Sequence, residues 1–145
     1  MDDLPSCFTT VRFIQAIWDG DAKEEDVLAL ETNRHLSGMY RNLRSCDSRF
    51  NAMRERGDAE DAGVDPVTLP VASQLYAEFI TCAGGALCEK ATTAWTTCVE
   101  SVQTQNKSIR DCDHVKKLME RCMSSKTEDL LKGLQPQIYR PSAAP

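Results

Sequence analysis

Cysteine is the residue type whose number and spacing in this sequence most directly indicate chemistry. The chain has 145 residues and seven cysteines, five of which fall between positions 82 and 122. A cysteine thiol can act as a nucleophile, bind a metal or form a disulfide, and its spacing from other residues helps to distinguish these uses. The seven are Cys7, Cys46, Cys82, Cys88, Cys98, Cys112 and Cys122.

Two pairs of these cysteines share one spacing. Nine residues separate Cys88 from Cys98, and nine separate Cys112 from Cys122. Ten positions along an α-helix advance about 15 Å and turn about 1,000°, so the two cysteines of a pair face broadly the same side. In two antiparallel helices the inner cysteines meet near the turn and the outer ones at the open end, at ordinary disulfide distances. The spacing therefore predicts the bridges Cys88–Cys122 and Cys98–Cys112.

The two segments that carry these cysteines have the features of helices. Residues 86–105 contain no Pro or Gly, and they follow Gly84-Gly85, which we interpret as the end of the preceding helix. The second segment begins at Ser108, a suitable N-cap residue. We expect Ser124-Ser125 to end it, and a short final helix to follow over residues 127–131.

Apolar residues recur at helical spacing in three segments upstream. We expect helices over residues 5–18, 24–56 and 70–83, and a solvated acidic linker over residues 57–66. An apolar seam in the long second segment contains Cys46, which is therefore either a small buried side chain or a disulfide partner. The seam consists of Leu36, Met39, Leu43, Cys46, Phe50 and Met53.

The expected fold class is all-α: a disulfide-stapled antiparallel helical hairpin with additional N-terminal helices. Residues 1–66 hold N-terminal helices and the acidic linker, residues 67–125 hold one helix and the hairpin (core 86–123), and residues 126–145 hold a short helix and an extended tail. In the chain-entropy description the inner bridge stabilises the fold by about 3 kcal/mol and the outer bridge by about 3.8 kcal/mol. Such contributions matter in a helix pair with few apolar residues.

Several other kinds of function lack the residues that they need. The net charge is −5, and the basic residues are dispersed among acidic ones, which disfavours nucleic-acid binding. No zinc-ligand spacing, phosphate-binding loop or nucleophile elbow occurs, and His35 and His114 are isolated residues that we expect to face solvent. We therefore expect no enzymatic activity, metal, cofactor or small-molecule substrate.

Targeting and membrane signals are also missing from the sequence. No stretch approaches the about 20 consecutive apolar residues of a membrane span. The acidic first five residues lack the basic start and apolar run of a secretory signal. They also lack the Arg-rich pattern of a mitochondrial matrix presequence. Taken alone, these features would suggest the cytosol, whereas the clustered cysteines suggest an oxidising compartment.

The repeated nine-residue spacing resembles that of the twin Cys-x9-Cys proteins of the CHCH (coiled-coil-helix–coiled-coil-helix) superfamily. The resemblance covers Cys88 to Cys122, about a quarter of the chain. It implies nested disulfides and import without a presequence into the mitochondrial intermembrane space, where a disulfide relay traps the protein. Family members often carry an apolar or aromatic residue three or four positions before the cysteine that docks on the relay. Trp95 before Cys98 and Leu118 before Cys122 fit this pattern, although both residues also suit a packed core.

Cys82 departs from the family pattern. It precedes Cys88 by six positions, and Ala72 stands where a partner at the nine-residue spacing would be. Cys82 pairs with Cys46, pairs with Cys7 or remains free, and the odd number of cysteines leaves at least one thiol unpaired in a monomer. The adjacent Cys-Cys pair of copper-chaperone members and the Cys-Pro-Cys of the relay oxidoreductase are both missing. The resemblance therefore does not extend to metal delivery or redox catalysis.

The resemblance implies a non-catalytic structural accessory subunit of a mitochondrial respiratory-chain complex. Such a subunit is peripheral to the inner membrane on its intermembrane-space side, and its partners are protein subunits of the complex. Residues 94–100, Ala-Trp-Thr-Thr-Cys-Val-Glu, are similar to the stretch around a hairpin cysteine in PGIV-type subunits, which slightly favours complex I. The alternatives are an assembly factor or membrane-organising protein of the same compartment and, less favoured because of the negative charge, a mitochondrial ribosome component.

Overall fold

Helices account for all the regular structure in the part of the chain that the computed structural model describes, residues 4–63, 72–106 and 108–134. The all-α fold class expected from the sequence is confirmed. In chain order the elements are α1 (Phe8–Trp18), α2 (Glu24–Glu31), α3 (Ser37–Arg44), α4 (Asp47–Asp61), α5 (Ala72–Leu87), α6 (Glu89–Gln105), a 3-10 turn (Ile109–Cys112) and α7 (Asp113–Leu134).

The long helices α5 and α7 lie at the centre of the packing. Helices α1 and α2 pack against α7, helices α3 and α4 pack against α5, and α6 contacts both central helices. Each of the seven described helices contributes buried side chains to one hydrophobic core. The largest fully buried side chains in it include Phe13, Phe50, Phe79, Leu30, Leu43, Met119 and Met123. The N-terminal helices therefore share a core with the cysteine-rich segment.

The single helix predicted over residues 24–56 is wrong, because the chain forms α2, α3 and α4 there. At the first break the Asn33 side chain accepts hydrogen bonds from the backbone N–H groups of His35 (2.8 Å) and Leu36 (3.0 Å). Such local bonds offer the backbone an alternative to the helical ladder. At the second break Cys46 leaves the helical conformation and precedes α4. The seam nevertheless faces inward, since its members Leu43, Cys46 and Phe50 are buried.

Two predicted helix ends are also wrong. Helix α5 continues through Gly84-Gly85 to Leu87, and α7 continues through Ser124-Ser125 to Leu134. Serine costs a helix only about 0.5 kcal/mol relative to alanine. Burial of the apolar side chains that follow outweighs this local cost, so the helix continues. Helix α7 buries one continuous face, which consists of Met119, Met123, Thr127, Leu130 and Leu134. The separate helix predicted at residues 127–131 is therefore part of α7.

The beginning of the predicted acidic linker is helical. Residues 57–61 belong to α4. The side chains of Arg56 and Glu60 form an ion pair with a 2.8 Å separation between Nε and Oε1, one turn apart on this helix. Three expectations concern residues outside the described part of the chain: the rest of the linker at 64–66, the helix start at Pro70 and the extended tail at 135–145.

Gly84 allows helices α5 and α6 to approach each other closely. A Cβ atom at this position would collide with the side chain of Thr92 in α6 and lie 2.6 Å from Cε of Met119 in α7. Gly85 differs, since a Cβ atom there would have nothing within 4 Å. The two neighbouring glycines are therefore not equivalent, because only Gly84 is a packing contact.

We expect the variant Gly84→Ala to be about 1–3 kcal/mol less stable than the variant Gly85→Ala. Both substitutions gain similar helix propensity, so the difference between them isolates the cost of overpacking against Thr92. Urea unfolding followed by circular dichroism measures both free energies of unfolding. If Gly84→Ala proved as stable as Gly85→Ala, the close approach described here would be wrong.

Candidate functional site

Two nested disulfides join α6 to the segment that follows it. Cys88 is bonded to Cys122 with a Cα–Cα distance of 6.1 Å, and Cys98 is bonded to Cys112 with a Cα–Cα distance of 5.8 Å. These are the two pairs that the nine-residue spacing predicts. The outer bridge therefore ties the start of α6 to α7, and the inner bridge ties α6 to the 3-10 turn.

Cys88 forms the corner between α5 and α6. It is the single residue between Leu87 and Glu89, and its backbone is not helical, with φ −144° and ψ 68°. Its N–H donates a 2.6 Å hydrogen bond to the carbonyl oxygen of Gly84, which closes the last turn of α5. Since Cys88 is also bonded to Cys122 in α7, the outer bridge connects three helices at one point.

At the C-terminal end of α6, a short connection leads into the 3-10 turn and α7. Asn106 follows the helix in the left-handed conformation, with φ 54°, which asparagine tolerates well. The Ser108 hydroxyl accepts a 3.2 Å hydrogen bond from the N–H of Arg110, so Ser108 caps the 3-10 turn that leads into α7. This turn contains Cys112, which is fully buried where it bonds to Cys98.

A third disulfide lies outside the nine-residue pattern. Cys46, at the junction of α3 and α4, is bonded to Cys82 in α5 with a Cα–Cα distance of 5.8 Å. The sequence leaves the partner of Cys82 open, and its one signal for this bridge is the position of Cys46 on the apolar seam. The two cysteines are 36 positions apart, and a bridge over such a loop contributes about 2–4 kcal/mol. It ties the N-terminal helices to the helix that precedes the nested bridges.

Cys7 is the free cysteine, and it is buried. Its backbone N–H and its thiol both donate to Oη of Tyr76, at 3.1 Å and 3.4 Å, and the Tyr76 hydroxyl donates to the carbonyl oxygen of Pro5 at 2.6 Å. Burial raises the pKa of the Cys7 thiol to about 11, outweighing the opposite effect of the bond to Tyr76. A protonated, shielded thiol is a poor nucleophile and a poor metal ligand. Its hydrogen bonds instead hold the start of α1 against α5.

Trp95 and Leu118, the candidate relay-recognition residues, lie in different environments. Trp95 is 4 % exposed and belongs to the core, whereas Leu118 is 44 % exposed on α7. The core interpretation is therefore correct for Trp95 and wrong for Leu118. Of these two residues, only Leu118 presents substantial apolar surface in the folded protein.

The remaining candidate chemistry consists of isolated groups. His35 and His114 are both exposed, as expected from the sequence. Among the residues that the structure describes, no three His, Cys, Asp or Glu side chains come together as metal ligands. No helix in those same segments combines the length and apolar character that a bilayer crossing needs. Six of the seven cysteines join helices covalently in this structure.

We expect the native, non-reduced protein to contain one thiol that resists alkylation at pH 8 and reacts only after unfolding. A thiol with a pKa of about 11 is about 0.1 % ionised at that pH, and Cys7 is also buried. Peptide mapping by mass spectrometry after iodoacetamide treatment, with and without urea, measures this. The variant Cys7→Ser should take up no label in either condition. Rapid labelling of Cys7 in the native protein, or labelling at any of the other six cysteines, would contradict the assignment.

Comparisons with protein-family models, curated proteins and solved structures find no match for this chain. The function is therefore inferred from the cysteine pattern, the three bridges and the exposed apolar side chains. The large apolar side chains exposed in the described residues are Phe8, Trp18, Leu28 and Leu118.

Proposed function

We propose that this chain is a non-catalytic structural subunit of a mitochondrial respiratory-chain complex, attached to it on the intermembrane-space side. The observation that supports the proposal most strongly is the set of three disulfides, which uses six of the seven cysteines to join helices. Disulfides persist in oxidising compartments and are rare in the cytosol. The resemblance to twin Cys-x9-Cys proteins adds the specific compartment, and the likeness of residues 94–100 to PGIV-type subunits favours complex I.

The state of the remaining thiol supports a structural role over a redox role. A catalytic or redox-active cysteine needs an accessible thiol with a lowered pKa. Cys7 has the opposite properties, because burial raises its pKa to about 11. Each of the three bridges also has one buried cysteine, namely Cys46, Cys88 or Cys112, whereas their partners are partly exposed. Reversible thiol chemistry at the three buried cysteines would require the core to open.

The surface supports attachment to other proteins. Phe8, Leu28 and Leu118 are 68 %, 58 % and 44 % exposed, respectively, on helices whose other faces are packed in the core. Large apolar side chains that are held outward by a rigid frame can bind a partner without first becoming ordered. The proposed subunit therefore contributes fixed contact points to its complex.

Native electrophoresis of mitochondria solubilised in mild detergent tests this function. We expect the chain to comigrate with a respiratory-chain complex, to resist protease until the outer membrane is opened, and to contain the three bridges when thiols are blocked before lysis. A small free species would favour the alternative, an assembly factor or membrane-organising protein of the same compartment. A reduced chain, or one located outside mitochondria, would contradict the proposal.

We expect Leu118→Ala to reduce import into isolated mitochondria without changing stability by more than about 0.5 kcal/mol. Leu118 is exposed in the folded state, so its role in relay docking before Cys122 can be separated from any role in packing. The control Phe8→Ala also truncates an exposed apolar side chain, but one that does not precede a bridged cysteine by three or four positions. Equal import of the two variants would contradict Cys122 as the docking cysteine.

A further inference from the structure

An apolar groove with an acidic rim lies where the end of α1, the following turn and α2 meet. Its volume is about 660 Å³, and none of the described helices covers it. Leu28 contributes the most exposed apolar side chain, with 58 % of its surface accessible. The groove is lined by the apolar residues Ile17, Ala22, Val27 and Leu28 and by the acidic residues Glu24, Glu25 and Glu31.

The orientation of α2 fixes this arrangement. Leu30 is fully buried, and α2 packs against α7 and α3. Glu24, Leu28 and Glu31 are spaced by four and three positions, so they share the opposite, exposed face of the helix. An apolar side chain is therefore held outward between carboxylates that are about one helical turn away on either side.

Net negative charge is concentrated in the segment that forms most of this groove. Residues 19–31 contain six acidic residues and one lysine, a net charge of −5, which equals the net charge of the whole chain. Asp19 forms an ion pair with Arg54 at 3.4 Å. Within residues 4–63, 72–106 and 108–134, none of the three rim glutamates has an ion pair. The rim therefore presents uncompensated negative charge around an apolar surface.

We propose that this groove binds a cationic amphipathic segment of a partner protein, with an apolar side chain on Leu28 and Lys or Arg side chains beside the glutamates. Charge complementarity selects this occupant, because the rim attracts cations and repels anionic phospholipid headgroups. A second copy of the chain would place two acidic rims face to face. The inference rests on the proposed function, since it names the surface by which the subunit attaches to its complex.

The two parts of the groove make separable contributions to binding. Burial of Leu28 contributes affinity that depends little on salt, whereas the glutamates contribute attraction that added salt screens. Removing the charges should therefore change both the affinity and its salt dependence. Truncating Leu28 should lower the affinity and leave the salt dependence nearly unchanged.

Fluorescence anisotropy with the full-length oxidised protein measures these effects. The probe is a labelled amphipathic helical peptide with leucines on one face and lysines on the other. We expect the triple variant Glu24→Gln, Glu25→Gln, Glu31→Gln to bind about tenfold more weakly at low salt and with a shallower salt dependence. Leu28→Ser should also weaken binding about tenfold, with the salt dependence retained.

A matched control variant separates the groove from the overall charge. The triple variant Glu100→Gln, Glu128→Gln, Asp129→Asn removes the same number of charges from exposed sites on α6 and α7. This control should bind the peptide as the wild type does. Equal weakening by the control, or binding of a peptide in which glutamates replace the lysines, would overturn the proposal.

Three other occupants of the groove would each give a different experimental result, and each result would overturn the proposal. Leu28-dependent binding to vesicles of anionic phospholipid would assign the groove to a membrane surface. A Leu28-dependent dimer in sedimentation would assign it to a second copy. Peptide binding that occurs only after removal of residues 135–145 would assign it to the C-terminal segment of this chain.

Native electrophoresis distinguishes failure of this inference from failure of the proposed function. If the wild type comigrates with a respiratory-chain complex and the rim triple variant does so equally well, the groove is not the attachment surface, although the function stands. If the wild type itself does not comigrate, the proposed function is wrong, whatever the peptide measurements show. Both the proposed function and the groove inference are supported only if the wild type comigrates with the complex and the rim triple variant does not.

Discussion

The covalent bond between Cys88 and Cys122 is the constraint on which the rest of the structure depends. Cys88 alone separates α5 from α6, so its bond to α7 fixes the relative position of three helices at one residue. The bond between Cys46 and Cys82 extends this frame from α5 to the junction of α3 and α4. Each bridge of this kind contributes about 2–4 kcal/mol, a large share of the about 5–15 kcal/mol that stabilises an ordinary domain.

The disulfide-bonded helices α6 and α7 depend on the preceding helices for much of their hydrophobic core. Helix α6 is rich in threonine and buries only Thr92 and Trp95, so it could not form a core with α7 alone. The missing apolar surface comes from α5 and, through it, from aromatic contacts such as that between Phe50 and Phe79, whose ring centroids are 5.7 Å apart. A buried 2.7 Å hydrogen bond between the hydroxyls of Thr10 and Thr127 joins α1 to α7. The helices upstream of the hairpin are therefore part of its core.

The features that were predictable from the sequence are those set by local geometry. The nine-residue spacing predicts the partners of Cys88 and Cys98 because helical periodicity places the two cysteines of each segment broadly on one side, and an antiparallel arrangement of two such segments then matches them in pairs. Helix ends were mispredicted at Gly84-Gly85 and Ser124-Ser125, since burial against distant helices outweighed local propensity there. The pairing of Cys82 also depends on packing between distant helices and so could not be predicted. Cys46 reaches Cys82 only because α3 and α4 pack on α5.

Rigidity and charge distribution act together at the groove beside α2. Electrostatic attraction at a protein surface is screened within about 8 Å at physiological ionic strength, so the acidic rim acts on groups in or near contact. In the proposed complex its effect would therefore be to orient and select the partner more than to supply the bulk of the affinity. Because Leu30 anchors α2 in the core, little backbone entropy would be lost when Leu28 and the glutamates engage a partner. The same packing that orders the helices thus also fixes the surface that we propose for binding, which connects the disulfide frame to the proposed attachment of this chain to a partner.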